Sequence, residues 1–111
     1  MKTAIESAEV VQVLSALAQE TRLEAYRSLV RAGPEGVAAG EIARQLDIPA
    51  PTLSFHLKAM LHAGLVQSRR DGRCLLYSTD FEVLTRVLGY LTENCCQGSA
   101  RGSENSRPGP S

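Results

Sequence analysis

Residues 49–79, "PAPTLSFHLKAMLHAGLVQSRRDGRCLLYST", change their apolar period once, and that change restricts the possible folds more than any other feature of the chain. In the first part, Leu53, Leu57, Met60 and Leu61 fall on one stripe at about 100° per residue, as a helix with one buried face requires. Pro51 suits the first turn, where its missing N–H is not needed, and Gly64 ends the helix. The second part is two short extended runs around Asp71-Gly72, a hairpin turn signal. A helix feeding directly into a basic hairpin is a small-domain pattern.

The flanking segments are helical. From Thr3 to Ala18, Val10, Val13, Leu14 and Leu17 recur at helical spacing. "ETRLEAYRSLVRAG" forms a second helix, with Thr21 and Glu24 at capping-box spacing and Gly33-Pro34 as its stop. A short third helix fits "AGEIARQLDI", with Ile42, Ala43 and Leu46 inward. "DFEVLTRVLGYLTEN" closes the domain, its apolar residues being Phe81, Leu84, Val87, Leu88 and Leu91. The predicted order is four helices, a two-stranded hairpin and a fifth helix, a mainly α winged helix-turn-helix over residues 1–97. Residues 98–111 lack any apolar side chain larger than Ala100 and read as a disordered tail.

With 111 residues the chain supports one domain with a modest core. Its formal net charge is zero, so overall charge points to no partner. The distribution is more informative: between Pro51 and Thr79, Lys58, Arg69, Arg70 and Arg73 face only Asp71 as a counter-charge. A basic patch on a neutral protein fits a nucleic-acid partner. No apolar stretch is long enough to span a membrane, since "VVQVLSALA" is short and interrupted. Three cysteines without framework spacing favour a reducing cytoplasm. No nucleophile–base set, phosphate loop or acid pair stands out, so an enzyme is not expected.

On the fourth helix, Thr52, Ser54, Phe55, Lys58 and His62 fall on the outward face, where a major groove would meet them. Phe55 lies roughly 160° from the centre of the buried stripe by helical geometry. A thymine-methyl contact is one reason for an aromatic there; partial cover by a neighbouring loop is the other. His56 sits at the edge of the apolar face, either as a base contact or as a core-edge histidine holding a backbone group. Arg69, Arg70 and Arg73 flank the hairpin turn, where long cations can follow phosphates or enter a minor groove. A merely solvated turn is the alternative. Gly72 supplies positive φ at the tip.

The stretches "LSALAQETRLEAYRSLV", "EIARQLDIPAPTLSFHLKAMLHAGLV" and "RRDGRCLLYS" resemble the ArsR family of metal- and metalloid-sensing winged-helix repressors, from Val10 to Cys96. The resemblance implies a homodimer joined through the first and last helices, repression relieved by a ligand, and two helices reading a near-palindromic operator. Half-sites would lie about one helical turn apart, roughly 34–36 Å, or a multiple of it. No permanently bound cofactor is implied.

Family effector patterns can be matched residue by residue. A thiolate-rich "CVCD"-like motif has no counterpart, because the corresponding "GEIARQLDI" lacks cysteine. A zinc pattern on the last helix needs histidines, and this chain offers only Asp80, Glu82 and Glu93 there, a poor zinc set. Some arsenic-sensing relatives carry a vicinal cysteine pair at the end of the last helix with a third cysteine beyond. Here Cys95 and Cys96 match the pair, Gln97 to Gly102 supply no third thiol, and Cys74 lies in the wing.

Adjacent Cα atoms are about 3.8 Å apart, whereas ordinary disulfides need about 4.4–6.8 Å, so the pair is ill suited to bond to itself. Soft thiolates suit a thiophilic centre such as trivalent arsenic. Arsenite has three exchangeable oxygens, whereas a monosubstituted arsenical keeps its carbon and exchanges two. Two thiols therefore match an organoarsenical such as methylarsenite at least as well as arsenite. The expected function is a DNA-binding repressor that releases its operator when a trivalent arsenical binds Cys95 and Cys96. Two other readings stand: a thiol-redox or persulfide-responsive repressor of the same fold, and a winged-helix protein-interaction module with incidental cysteines.

Overall fold

A computed structural model describes residues 5–93; Cys95, Cys96 and the tail lie outside the described residues. The elements are α1 (Ser7–Leu17), α2 (Glu20–Ala32), β1 (Val37–Ala38), α3 (Ala39–Leu46), α4 (Ala50–His62), β2 (Val66–Asp71), β3 (Cys74–Thr79) and α5 (Phe81–Thr92). All five expected helices are present. No helix among the described residues is long and apolar enough to cross a membrane.

The expectation of a two-stranded hairpin is wrong. The sheet has three antiparallel strands in the order β1-β3-β2. The added strand pairs Val37 with Tyr77 and Ala38 with Leu76. Two residues cannot display a period-2 pattern, which is why β1 has no signature of its own. Gly36 brings it into place: with φ +87 it passes so close to β3 that a Cβ would lie 3.0 Å from the Tyr77 carbonyl oxygen.

Local chemistry sets the helix ends. α2 begins one residue before Thr21, because the Gln19 side chain accepts a hydrogen bond from the Arg22 N–H at 2.9 Å; the expected capping box at Thr21 is not the start. Asp47 closes α3 in the left-handed region (φ 58), its N–H donating to the Arg44 carbonyl while the Ile48 N–H donates to that of Ala43. Gly64, at φ +83, does the same for α4: its N–H reaches the Leu61 carbonyl and the Leu65 N–H that of Met60. Both helices of the helix-turn-helix thus end in the 6→1 and 5→2 bond pair that satisfies orphan carbonyls.

The core gathers one stripe from each long helix. Val10 and Val13 of α1, Tyr26 and Leu29 of α2, Ile42 of α3, Leu53, Leu57 and Met60 of α4, and Val87 of α5 are buried together. Ser28 on α2 ties to α3 by donating to Gln45 Oε1 at 2.6 Å. α4 is therefore fixed on its inner side by three neighbouring helices, leaving its opposite side to solvent.

Candidate nucleic-acid interface

Thr52, Ser54, Phe55 and Lys58 are all exposed on α4, and the Phe55 ring is 64% accessible. An aromatic left in water at this level costs about what burying it would return, of the order of 2 kcal/mol. Its cation and aromatic neighbours belong to helices, not to a loop. One is the guanidinium of Arg22, whose Cζ lies 5.8 Å from the ring centroid; another is His56, edge-on at 5.5 Å. Phe55 is thus braced at its base by a cation and an imidazole, with its outer face free.

His56 is only 9% exposed, unlike the other α4 residues expected to face DNA. Its Nδ1 accepts a hydrogen bond from Arg22 Nε at 3.1 Å, spanning α4 and the first turn of α2. The partner is a side chain, not a backbone group. Burial first, and the neighbouring Arg22 charge second, push the His56 pKa below its usual value of 6.5. The neutral imidazole, with Nδ1 as acceptor, keeps its hydrogen on Nε2. Arg22 had no mark in the sequence that set it apart as part of this site; it lies 34 residues from His56 along the chain.

The wing is a two-residue hairpin in which Asp71 pairs with Cys74 across Gly72 and Arg73. Gly72 at the first central position has φ +66 and Arg73 is not in the left-handed region, the pattern of a type II′ turn. After Val66 every residue of β2 is exposed, so the hairpin projects clear of the core. The three arginines are not equivalent. Arg69 Nη2 donates to the Glu35 carbonyl at 2.6 Å, tying the wing to the α2–β1 loop. Arg70 and Arg73 are exposed and have no hydrogen-bond or ion-pair partner among the described residues.

Asp80, considered for zinc, caps α5 by accepting from the Glu82 N–H at 3.1 Å. Among the described residues no three His, Cys, Asp or Glu side chains come together as a metal-binding group. Cys74 is exposed in β3.

Residues 17–69 match the family described as a helix-turn-helix domain. The nodulation protein NolR of Rhizobium meliloti is 34% identical over 89 residues, 79% of this chain and 70% of NolR. An ArsR-like transcriptional regulator from Rhodococcus sp. RHA1 superposes with a TM-score of 0.73 at 28% identity, over 86% of this chain and 87% of that one. The chain belongs to the ArsR family. The structure of NolR from Sinorhizobium fredii agrees, with a TM-score of 0.62 at 31% identity over 86% of this chain and 97% of that one. Two further relatives, HTH-type transcriptional regulators of Bacillus subtilis and Mycobacterium tuberculosis, are matched over only 61% and 58% of their own length. As an ArsR-family member the chain is a DNA-binding transcriptional regulator, not an enzyme.

Proposed function

We propose that this chain is a homodimeric repressor that reads its operator with Thr52, Ser54, Phe55 and Lys58 of α4 and with the wing arginines. A trivalent arsenical bridging Cys95 and Cys96 then releases it. The observation that carries the DNA reading is the exposed α4 face, with a braced aromatic at its centre, on the same chain as two wing arginines that are exposed and unpartnered among the described residues. A hydroxyl, an aromatic and a cation on one helix face offer hydrogen bonds, a methyl contact and a phosphate contact.

Dimerisation is supported by apolar surface that the protomer leaves in water. Val11 and Leu14 on α1, and Phe81, Leu88 and Leu91 on α5, are exposed. Side chains of this kind at helical spacing favour a helical partner, and a second copy of α1 and α5 supplies one.

The effector reading rests on the adjacent thiols and their soft-ligand chemistry. In sequence Cys95 stands three residues beyond Thr92, the last residue of α5, so closing a ring through arsenic would act beside a helix that this reading places in the dimer. To move the protein from mostly bound to mostly free, the ligand must favour the released state by several kcal/mol, about 5.5 for a shift from 1:99 to 99:1.

The test is operator binding titrated separately with arsenite, methylarsenite, zinc and peroxide, beside Cys95→Ser and Cys96→Ser. Release by methylarsenite that both substitutions abolish supports the reading. Equal release from the double serine variant places the effector elsewhere. A wild type deaf to arsenicals but responsive to peroxide makes it a thiol-redox repressor.

A further inference from the structure

Arg22 is held at both ends. In the first turn of α2 its backbone N–H donates to Gln19 Oε1 at 2.9 Å, and at the far end its Nε donates to His56 Nδ1 at 3.1 Å. Neither Nη group has a hydrogen-bond partner among the described residues. No carboxylate there neutralises the guanidinium either, since the single ion pair joins Arg44 to Glu41. The two nitrogens are not enclosed. Among the described residues the buried side-chain nitrogens and oxygens without a partner are Tyr26 Oη and Arg86 Nε. A half-buried arginine thus keeps its outer donors at the surface.

That surface adjoins the outward face of α4. Arg22 Cζ lies 5.8 Å from the centroid of the Phe55 ring, and the ring is 64% accessible on the face that also carries Thr52, Ser54 and Lys58. His56, to which Arg22 is bonded, is buried at the edge of that face. When a helix lies in a major groove, base edges meet its outward face and the sugar-phosphate strands meet its flanks. Arg22 belongs to a neighbouring helix and reaches α4 at its flank.

We propose that Arg22 is a DNA-binding residue in its own right, its two Nη groups donating to one phosphate of the strand that walls the groove beside α4. The proposal rests on the reading of α4 as the recognition helix. A side chain tied through Nε to α4 is not free to extend past that helix to the groove floor, so a phosphate suits it better than a base edge. The planar pair of Nη groups matches two phosphate oxygens. Bracing Phe55 and His56 uses Nε and one face of the guanidinium and leaves the Nη pair idle. A phosphate contact uses it.

Fluorescence anisotropy tests this on a duplex that the wild-type chain selects from a random-sequence pool. Arg22→Gln should bind about tenfold weaker or worse, the loss of a charge-assisted contact. Its slope of log affinity against log salt should also fall by about 0.9 for each protomer bound. A brace alone would lower affinity and leave that slope unchanged. Neutral methylphosphonates placed at each phosphate in turn should locate one that weakens the wild type and not Arg22→Gln. An unchanged slope overturns the proposal, and so does a scan in which both proteins lose equally at every phosphate. If thermal unfolding shows that Arg22→Gln does not fold, Arg22→Lys replaces it. Without the paired Nη donors it should feel the critical methylphosphonate markedly less than the wild type, and an equal penalty overturns the proposal. Phe55→Ala and Lys58→Ala on the same duplex test the α4 reading separately. If they weaken binding while Arg22→Gln keeps the wild-type slope, Arg22 falls and α4 stands.

Discussion

Arg22 Nε donates to His56 Nδ1 at 3.1 Å while the same guanidinium lies 5.8 Å from the Phe55 ring centroid, so one side chain from α2 braces two consecutive residues of α4. The imidazole is buried, and its acceptor nitrogen is satisfied by this contact. Arg22→Leu removes the donor and leaves the nitrogen unmatched. The expected cost is about 1–3 kcal/mol in chemical denaturation. Operator affinity should fall as well, since Phe55 loses its brace. A variant with wild-type stability and affinity would show that the bond is incidental.

The same contact gives the fold a pH dependence with a defined sign. The folded pKa of His56 is depressed below 6.5, chiefly by burial and then by Arg22. As pH falls through about 6.5, the unfolded chain takes up the proton while the folded chain resists it. Stability is therefore fully present above that pH and is lost progressively as pH falls toward the folded pKa. Melting temperature followed from pH 8 to pH 5 should drop more steeply for the wild type than for His56→Gln. An equal slope in both would remove His56 as the titrating group.

The helices and the wing were legible because their signals are local. Leu53, Leu57 and Met60 repeat on one face of α4, and Asp71-Gly72 marks the turn within the chain's own neighbourhood. β1 was not legible, since Val37 and Ala38 become a strand only by meeting Leu76 and Tyr77. Nor was the role of Arg22, which depends on a partner 34 residues away. The apolar stripe of α5 was visible but not its fate. Val87 alone is buried there, while Leu88 and Leu91 stay exposed, because periodicity finds an apolar face without saying which molecule covers it. Arg69 and Arg70 look alike in sequence, and only Arg69 is tied to the Glu35 carbonyl.

The third strand makes Gly36 and Gly33 a matched pair for substitution. Both have positive φ, near +86 and +87, but a Cβ on Gly33 meets nothing within 4 Å, whereas one on Gly36 meets the Tyr77 carbonyl oxygen at 3.0 Å and Leu76 Cβ at 3.2 Å. Gly33, at φ 86 and ψ −173, sits in a backbone region essentially confined to glycine, so Gly33→Ala should cost about 1–3 kcal/mol for the backbone alone. Gly36→Ala adds displacement of β1 from β3, and should cost more, of the order of 2–4 kcal/mol. Equilibrium unfolding of the two variants, side by side, checks the difference. Equal losses would mean that β1 contributes no steric constraint.

Arg69 and its neighbours on the wing should separate stability from DNA affinity. Arg69 Nη2 holds the Glu35 carbonyl, so Arg69→Ala should lower stability by about 0.5–1.5 kcal/mol and free the wing from the α2–β1 loop. Arg70 and Arg73 are exposed and unpartnered among the described residues, so alanine there should leave unfolding within about 0.5 kcal/mol of wild type. If each meets a phosphate in the proposed complex, each alanine should reduce the slope of log affinity against log salt by about 0.9. Fluorescence anisotropy on an operator duplex across a salt series measures that slope. An unchanged slope in Arg70→Ala and Arg73→Ala together would remove the wing tip from the interface, leaving α4 to carry recognition alone.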